Sequence, residues 1–169
     1  MNLPSKTRFF WEICMTNNDT LRRVRSIFDY DASQMLGVFA KADHEVSKEQ
    51  LANWLTGDDE PGHEACSDTD LAQFLNGLIN EKRGRKDGPQ ARLEERLSNN
   101  MVFLKLKIAL DLQADDVLAL LEQSDQRISK HELSALFRKP GHKHYRECSD
   151  QVLQDFLDGL QFKFHPNLA

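Results

Sequence analysis

Apolar residues recur along this chain in short stripes at helical spacing, each bounded by a capping residue and a turn. Leu21, Val24 and Phe28 stand at i, i+3 and i+7 after Asn17 or Asn18, either of which suits a helix cap. Met35, Leu36 and Phe39 follow Asp31, and Gln34 three residues on completes a capping box. Ser47 with Gln50 repeats that signature before Leu51, Trp54 and Leu55. Gly57 and Pro61-Gly62 then break the chain, and Ser67 caps a fourth stripe of Leu71, Phe74, Leu75 and Leu78.

The same four stripes return further on. Phe103, Leu106 and Leu110 stand for the first, and Val117, Leu118 and Leu121 for the second. Ser129 with Glu132 caps Leu133, Leu136 and Phe137, and Ser149 precedes Leu153, Phe156, Leu157 and Leu160. Pro-Gly-His, Cys-Ser-Asp and Phe-Leu-(Asn/Asp)-Gly-Leu occur in both halves, and Cys66 and Cys148, like Gly77 and Gly159, lie 82 residues apart. The pattern predicts an all-α fold: a tandem repeat of two similar four-helix units packed with internal pseudo-symmetry. Repeat 1 spans 16–81 and repeat 2 spans 98–164. Units of about 64 residues are marginal alone, so the two are expected to bury apolar surface against each other.

What remains is a 1–15 extension, an 82–97 connection and a 165–169 tail. Residues 1–14 have no evident counterpart in the second copy, and Met15 sits where a start would fall. Phe9, Phe10 and Trp11 read either as a loose arm or as a cover for a groove. Lys82–Gly88 is a basic, polar linker, and Pro89 is expected to start a short helix through Leu97.

Composition narrows the functional classes. A net charge of −5 argues against nucleic-acid binding by the whole surface, though not by a local patch. No apolar run approaches the roughly 20 residues that span a bilayer, and Glu12 interrupts the only N-terminal one. Three cysteines fit free thiols in a reducing compartment, hence a cytoplasmic protein.

Candidate chemistry is sparse. Cys66, Ser67 and Leu71, like Cys148, Ser149 and Leu153, have the spacing of a hydrophobic staple around an N-cap. The competing reading is a reactive thiol at a helix start, with Cys148 and His144 as the enzyme pair. His63 with Cys66, and His142 and His144 with Cys148, lack zinc-site spacing, so no metal is assigned. No glycine-rich phosphate loop or Ser-centred elbow appears, and no cofactor or catalytic residue is assigned. Gly77 and Gly159 read as points of close helix approach, the alternative being a C-terminal cap. Basic residues form three groups: Arg22, Arg23 and Arg25; Lys82, Arg83, Arg85 and Lys86; and Arg138, Lys139, Lys143 and Arg146. The last is interleaved with His142, His144 and Tyr145, a mixture suited to phosphate backbone and base stacking. Its first-copy counterpart carries Asp58, Asp59, Glu60 and Glu64, so equivalent loops have opposite charge. Contact between those loops, within one chain or between molecules, is one expectation that follows.

The stretches NNDTLRRVRSIF, PGHEACSD with FLNGL, the basic linker, and ELSALFRKPGHKHYRECSDQVLQDFLDGL together resemble the YehS-like proteins, a bacterial family defined by a duplicated domain of unknown function. The resemblance covers about residues 15–162. It implies a small cytoplasmic protein and brings no activity, substrate or catalytic residue. The leading function is therefore a non-enzymatic binding or interaction module. The alternative is a nucleic-acid-binding regulator using the Arg138–Arg146 loop.

Overall fold

The structure, a computed structural model, describes residues 14–124 and 127–168. Eight α-helices run through them: α1 Asn17–Phe28, α2 Ala32–Ala40, α3 Lys48–Leu55, α4 Asp68–Arg83, α5 Asn99–Ala109, α6 Ala114–Leu121, α7 Lys130–Leu136 and α8 Asp150–Phe164. A 3-10 turn, Pro166–Leu168, follows, and no strand occurs among the described residues. The chain is an all-α tandem of two four-helix units, α1–α4 and α5–α8.

Short polar side chains start these helices by satisfying backbone N–H groups that have no intrahelical partner. Asp31, Ser47, Ser67, Ser98, Ser129 and Ser149 each accept from the N–H three residues on. Two details differ from expectation. The cap of α1 is Thr16, which exchanges bonds with Asp19, and this leaves Asn17 and Asn18 for another task. At α3 the reciprocal bond of a capping box is missing, because Gln50 donates to Glu64 at 2.6 Å instead.

Each unit packs its stripes around a pair of buried phenylalanines. Phe39 and Phe74 lie 5.1 Å apart in the first, and Phe103 and Phe156 stack at 4.1 Å in the second. The two sets of apolar side chains form one continuous core. Within each unit the last helix presses on the second through a glycine. A Cβ on Gly77 would lie 1.9 Å from the Val38 carbonyl oxygen, and one on Gly159 would lie 2.5 Å from that of Leu120.

The units meet through α1 against α8 and α4 against α5. Polar contacts there come in exchanged pairs. The Met15 N–H donates to Asp150 at 3.2 Å, and the Leu97 N–H donates to Asp68 at 3.0 Å. Arg23 on α1 pairs with Asp158 on α8, while Lys105 on α5 donates to Asn76 on α4, both at 2.6 Å. Every partner is 82 positions from its equivalent, with the two units exchanging roles. The units therefore face each other about a pseudo-two-fold axis, rather than stacking in one direction as in a solenoid.

The connection departs from expectation. No helix forms over residues 89–97. An α-helix there would draw the Leu97 N–H into a bond with the carbonyl four residues back, but Asp68 holds it. Glu94 is drawn the same way, onto Lys105 at 2.8 Å in a largely buried pair. Tertiary contacts outbid local helix propensity here. Lys82 and Arg83 belong to the last turn of α4 and not to the linker, and cations are favoured at that end. At the N-terminus, the match of Met15 to Leu97 carries the repeat to the edge of the described residues. The expectations for Phe9, Phe10 and Trp11 fall on residues outside those described.

Candidate functional site

The basic group of interest lies on the loop joining α7 to α8. What shapes this loop is an asparagine from α5. The Asn100 amide donates to the carbonyls of Leu136 at 2.9 Å and Arg146 at 2.8 Å, and its oxygen accepts from the Cys148 N–H at 2.9 Å. Its neighbour Asn99 donates to the Cys148 carbonyl and to Asp150. In repeat 1, Asn18 binds the carbonyls of Trp54 and Glu64 and the Cys66 N–H, and Asn17 binds Cys66 and Asp68. Asn18 and Asn100 are buried, so each clamp fixes the ends of its loop from inside.

Three backbone bonds of the two loops match in register. His142 to Lys139, Tyr145 to His142 and Arg146 to Ala135 match Glu60 to Gly57, His63 to Glu60 and Glu64 to Asn53. The repeated Pro-Gly-His motif falls outside this register. The Pro-Gly-His triplets are 79 residues apart, not 82, and do not coincide. Pro61, Gly62 and His63 occupy the places of Lys143, His144 and Tyr145. Gly62 and Gly141 both adopt a left-handed φ, but at different points of the loop.

On this common frame the side chains differ. In repeat 1, Arg22 reaches in from α1 to the Thr56 carbonyl, Asp19 and Asp58, and His63 lies 3.0 Å from the same carbonyl. Partial burial alone would raise the Asp19 pKa, but hydrogen bonds from Thr16 and Arg22 outweigh it and hold the carboxyl below its usual range. The counterpart of Arg22 is Leu104, so no such anchor exists in repeat 2. There, among the described residues, the loop carries one ion pair, Arg146 with Glu132 at 2.7 Å. Arg146, with help from Ser129, holds Glu132 below its usual pKa. Arg138, Lys139 and Lys143 are exposed and have no ion-pair partner among the described residues. His142 and His144 are exposed and Tyr145 is half-buried. The His144 N–H donates to Nδ1 of His142 at 3.1 Å. His131 on α7 joins them, its ring centroid 6.3 Å from that of His144.

The other two basic groups are mostly spent on structure. Arg23 pairs with Asp158, Arg83 with Asp111 and Arg85 with Asp43, and Lys82 lies 4.7 Å over the Phe28 ring. The charge of the molecule is also uneven. Residues 16–81 hold five basic and thirteen acidic side chains, whereas residues 98–164 hold nine and ten.

The cysteines have different surroundings from those of a nucleophile. Cys66 and Cys148 are buried in the core with Leu71 and Leu153, each thiol donating to the carbonyl of the following serine. Burial, then the nearby Asp70 and Asp68, push the Cys66 thiol up to about 12. Burial and Asp150 do the same to Cys148. Nucleophilic thiols need the opposite shift. Among the described residues no group of three or more His, Cys, Asp or Glu is placed to hold a metal ion. A cavity of about 430 Å³ is lined by Leu118, Leu121, Glu122, Arg127 and Ile128, a set without a nucleophile paired to a base.

Two parts of the site were hidden in the sequence. Asn17-Asn18 and Asn99-Asn100 keep the 82-residue spacing while nearby Asp19, Arg22 and Arg23 become Met101, Leu104 and Lys105. That retention was the available signal for a clamp. His131 lies eleven residues before His142, and only the turn of α7 against the loop brings them together.

No described helix is long and apolar enough to cross a membrane. No solved structure matches the chain. The uncharacterized protein YehS of Escherichia coli (strain K12) is 43% identical over 152 residues, covering 89% of this chain and 97% of that one. A family model described as "Protein of unknown function (DUF1456)" matches residues 17–84 and again residues 99–165, one match to each four-helix unit. This chain, with its two clamped units related by a pseudo-two-fold axis, belongs to the DUF1456 family.

Proposed function

We propose that this protein is a non-enzymatic binding module, that its contact surface is the α7–α8 loop, and that the partner at that loop is nucleic acid. One observation carries the reading. Of two loops matched in register, the acidic one has Asp58 held by Arg22 from α1, and the basic one has Arg138, Lys139 and Lys143 exposed with no ion-pair partner among the described residues. Unpaired, exposed cations beside imidazole rings are what a phosphate backbone with adjacent bases requires. The acidic first repeat favours approach from the second repeat alone, because like charge repels a polyanion elsewhere. Contact between the two loops inside one chain has less support, since no hydrogen bond or ion pair joins them among the described residues.

The test is fluorescence anisotropy with labelled random-sequence DNA and RNA. About three phosphate contacts predict a loss of roughly ten- to fortyfold in affinity between about 50 and 200 mM salt. Arg138→Glu/Lys139→Glu/Lys143→Glu, three exposed substitutions on a loop held by Asn100, should abolish binding and leave the melting temperature unchanged. Wild-type affinity in that variant, or no binding by the wild type at low salt, sinks the reading.

A further inference from the structure

We infer that the nucleic acid held at this loop is single-stranded, with its bases stacked on a platform made by His131, His142 and His144. The inference rests on the reading of the loop as a nucleic-acid contact, and adds the form of the strand and the residues that select it.

Three imidazoles from two elements converge here. His131 stands on the first turn of α7, and His142 and His144 stand on the loop. Centroids are 6.3 Å apart for His131 and His144, and 5.6 Å apart for His142 and His144. The rings are inclined to each other by 69° and 42°, so none lies flat upon another. All three residues are exposed. A base has a π-face whatever its identity, and stacking it on a ring needs no particular sequence. In a duplex those faces are already occupied by neighbouring bases, so a platform of rings is of use only to an unpaired strand. Duplex reading calls for an element that enters a groove, and the loop cations belong to no such element. Arg138, Lys139 and Lys143 flank the rings in sequence and supply the phosphate contacts.

The duplicated fold provides an internal comparison. At the positions of His131, His142 and His144, the first repeat has Glu49, Glu60 and Gly62. At positions matched in register, one unit thus presents rings, and the other two carboxylates and a glycine. The clamp asparagines are kept in both, so the two loops are held at their ends alike and differ between them.

The experiment uses the full chain and three labelled probes of equal length: a thymidine oligonucleotide, a uridine oligonucleotide, and a mixed-sequence DNA duplex. Both single strands should bind roughly tenfold or more tightly than the duplex. His131→Ala/His142→Ala/His144→Ala should weaken single-strand binding by roughly tenfold or more, with the salt slope unchanged. Replacing the same three residues by Phe should restore single-strand affinity, since a phenyl face stacks as well. Rescue by Phe also separates stacking from any loss of loop shape when the His142–His144 bond is removed. Equal affinity for strand and duplex, or an Ala variant that binds single strands as the wild type does, overturns the platform. In that event a loss of all binding in the Arg138→Glu/Lys139→Glu/Lys143→Glu variant would still uphold the loop as the contact. Unchanged binding of every probe by that charge-reversed variant would remove both.

Discussion

The thiols illustrate how a residue's surroundings decide between two chemistries open to it. A cysteine just before a helix N-cap is a candidate nucleophile, because the helix terminus favours the thiolate. Here Cys66 and Cys148 are buried in the core, and acidic side chains sit at the same helix starts. Both effects favour the neutral thiol, whose pKa moves from an ordinary 9.0 to about 12. In the native protein, Cys14, which is exposed, should react with a thiol reagent at once, and Cys66 and Cys148 only after denaturation. Two further groups labelled quickly under native conditions would contradict this. The sign of the pH dependence follows from linkage. The folded state holds these protons more tightly than the unfolded state. The stabilisation is therefore complete below about pH 9 and is lost as pH rises from there towards 12. Urea unfolding across that range should show stability falling, and Cys66→Ala/Cys148→Ala should flatten the fall.

At the scale of elements, the glycines of α4 and α8 set how closely helices pack. Gly→Ala in an exposed helix interior stabilises by up to about 1 kcal/mol. At Gly77 the new methyl would overlap the Val38 carbonyl, which is backbone and has no easy retreat. Gly77→Ala should therefore destabilise by about 2–3 kcal/mol despite the helix propensity gained. Gly159→Ala, whose nearest contact is 2.5 Å rather than 1.9 Å, should cost less. Chemical denaturation of the two variants checks both the sign and the order. A stabilised Gly77→Ala would mean that α2 shifts freely, and that the packing account is wrong. The same scale shows what the sequence makes legible. The helices within 17–83 and 99–164 follow from apolar spacing and, for all but α6, from Ser, Thr or Asp at their starts, because those signals are local. The segment from Pro89 to Leu97 reads as helix for another local reason, a proline suited to a first turn. It fails because Asp68 and Lys105, each from another element, hold the Leu97 N–H and the Glu94 carboxylate. The basic loop was legible as composition, since Arg138, Lys139 and Lys143 lie close in sequence to His142 and His144. His131 was not, because α7 and the loop meet only in three dimensions.

For the whole molecule, the exchanged contacts across the pseudo-two-fold axis make each unit a partial template for the other. Asp68 binds Asn17 of its own unit and the Leu97 N–H leading into the other, and Asp150 does the reverse with Asn99 and Met15. The helix starts that close each loop are thus among the points at which the units are joined. Since units of about 64 residues are marginal alone, damage to one clamp should be felt in both halves. Asn100→Asp is the sharpest probe. It replaces an amide donating to two carbonyls by a carboxylate facing them, in a buried position. The cost should be about 3 kcal/mol or more, through loss of both bonds and an uncompensated charge. Trp54 reports from the other unit, buried against Phe39 with their ring centroids 5.7 Å apart. In a Trp11→Phe background, Asn100→Asp should move the urea midpoint of Trp54 fluorescence by as much as it moves that of circular dichroism. A fluorescence midpoint left in place while half the helical signal melts early would mean that the units fold independently. The contacts shared by Asp68 and Asp150 would then orient the two halves without joining their stability.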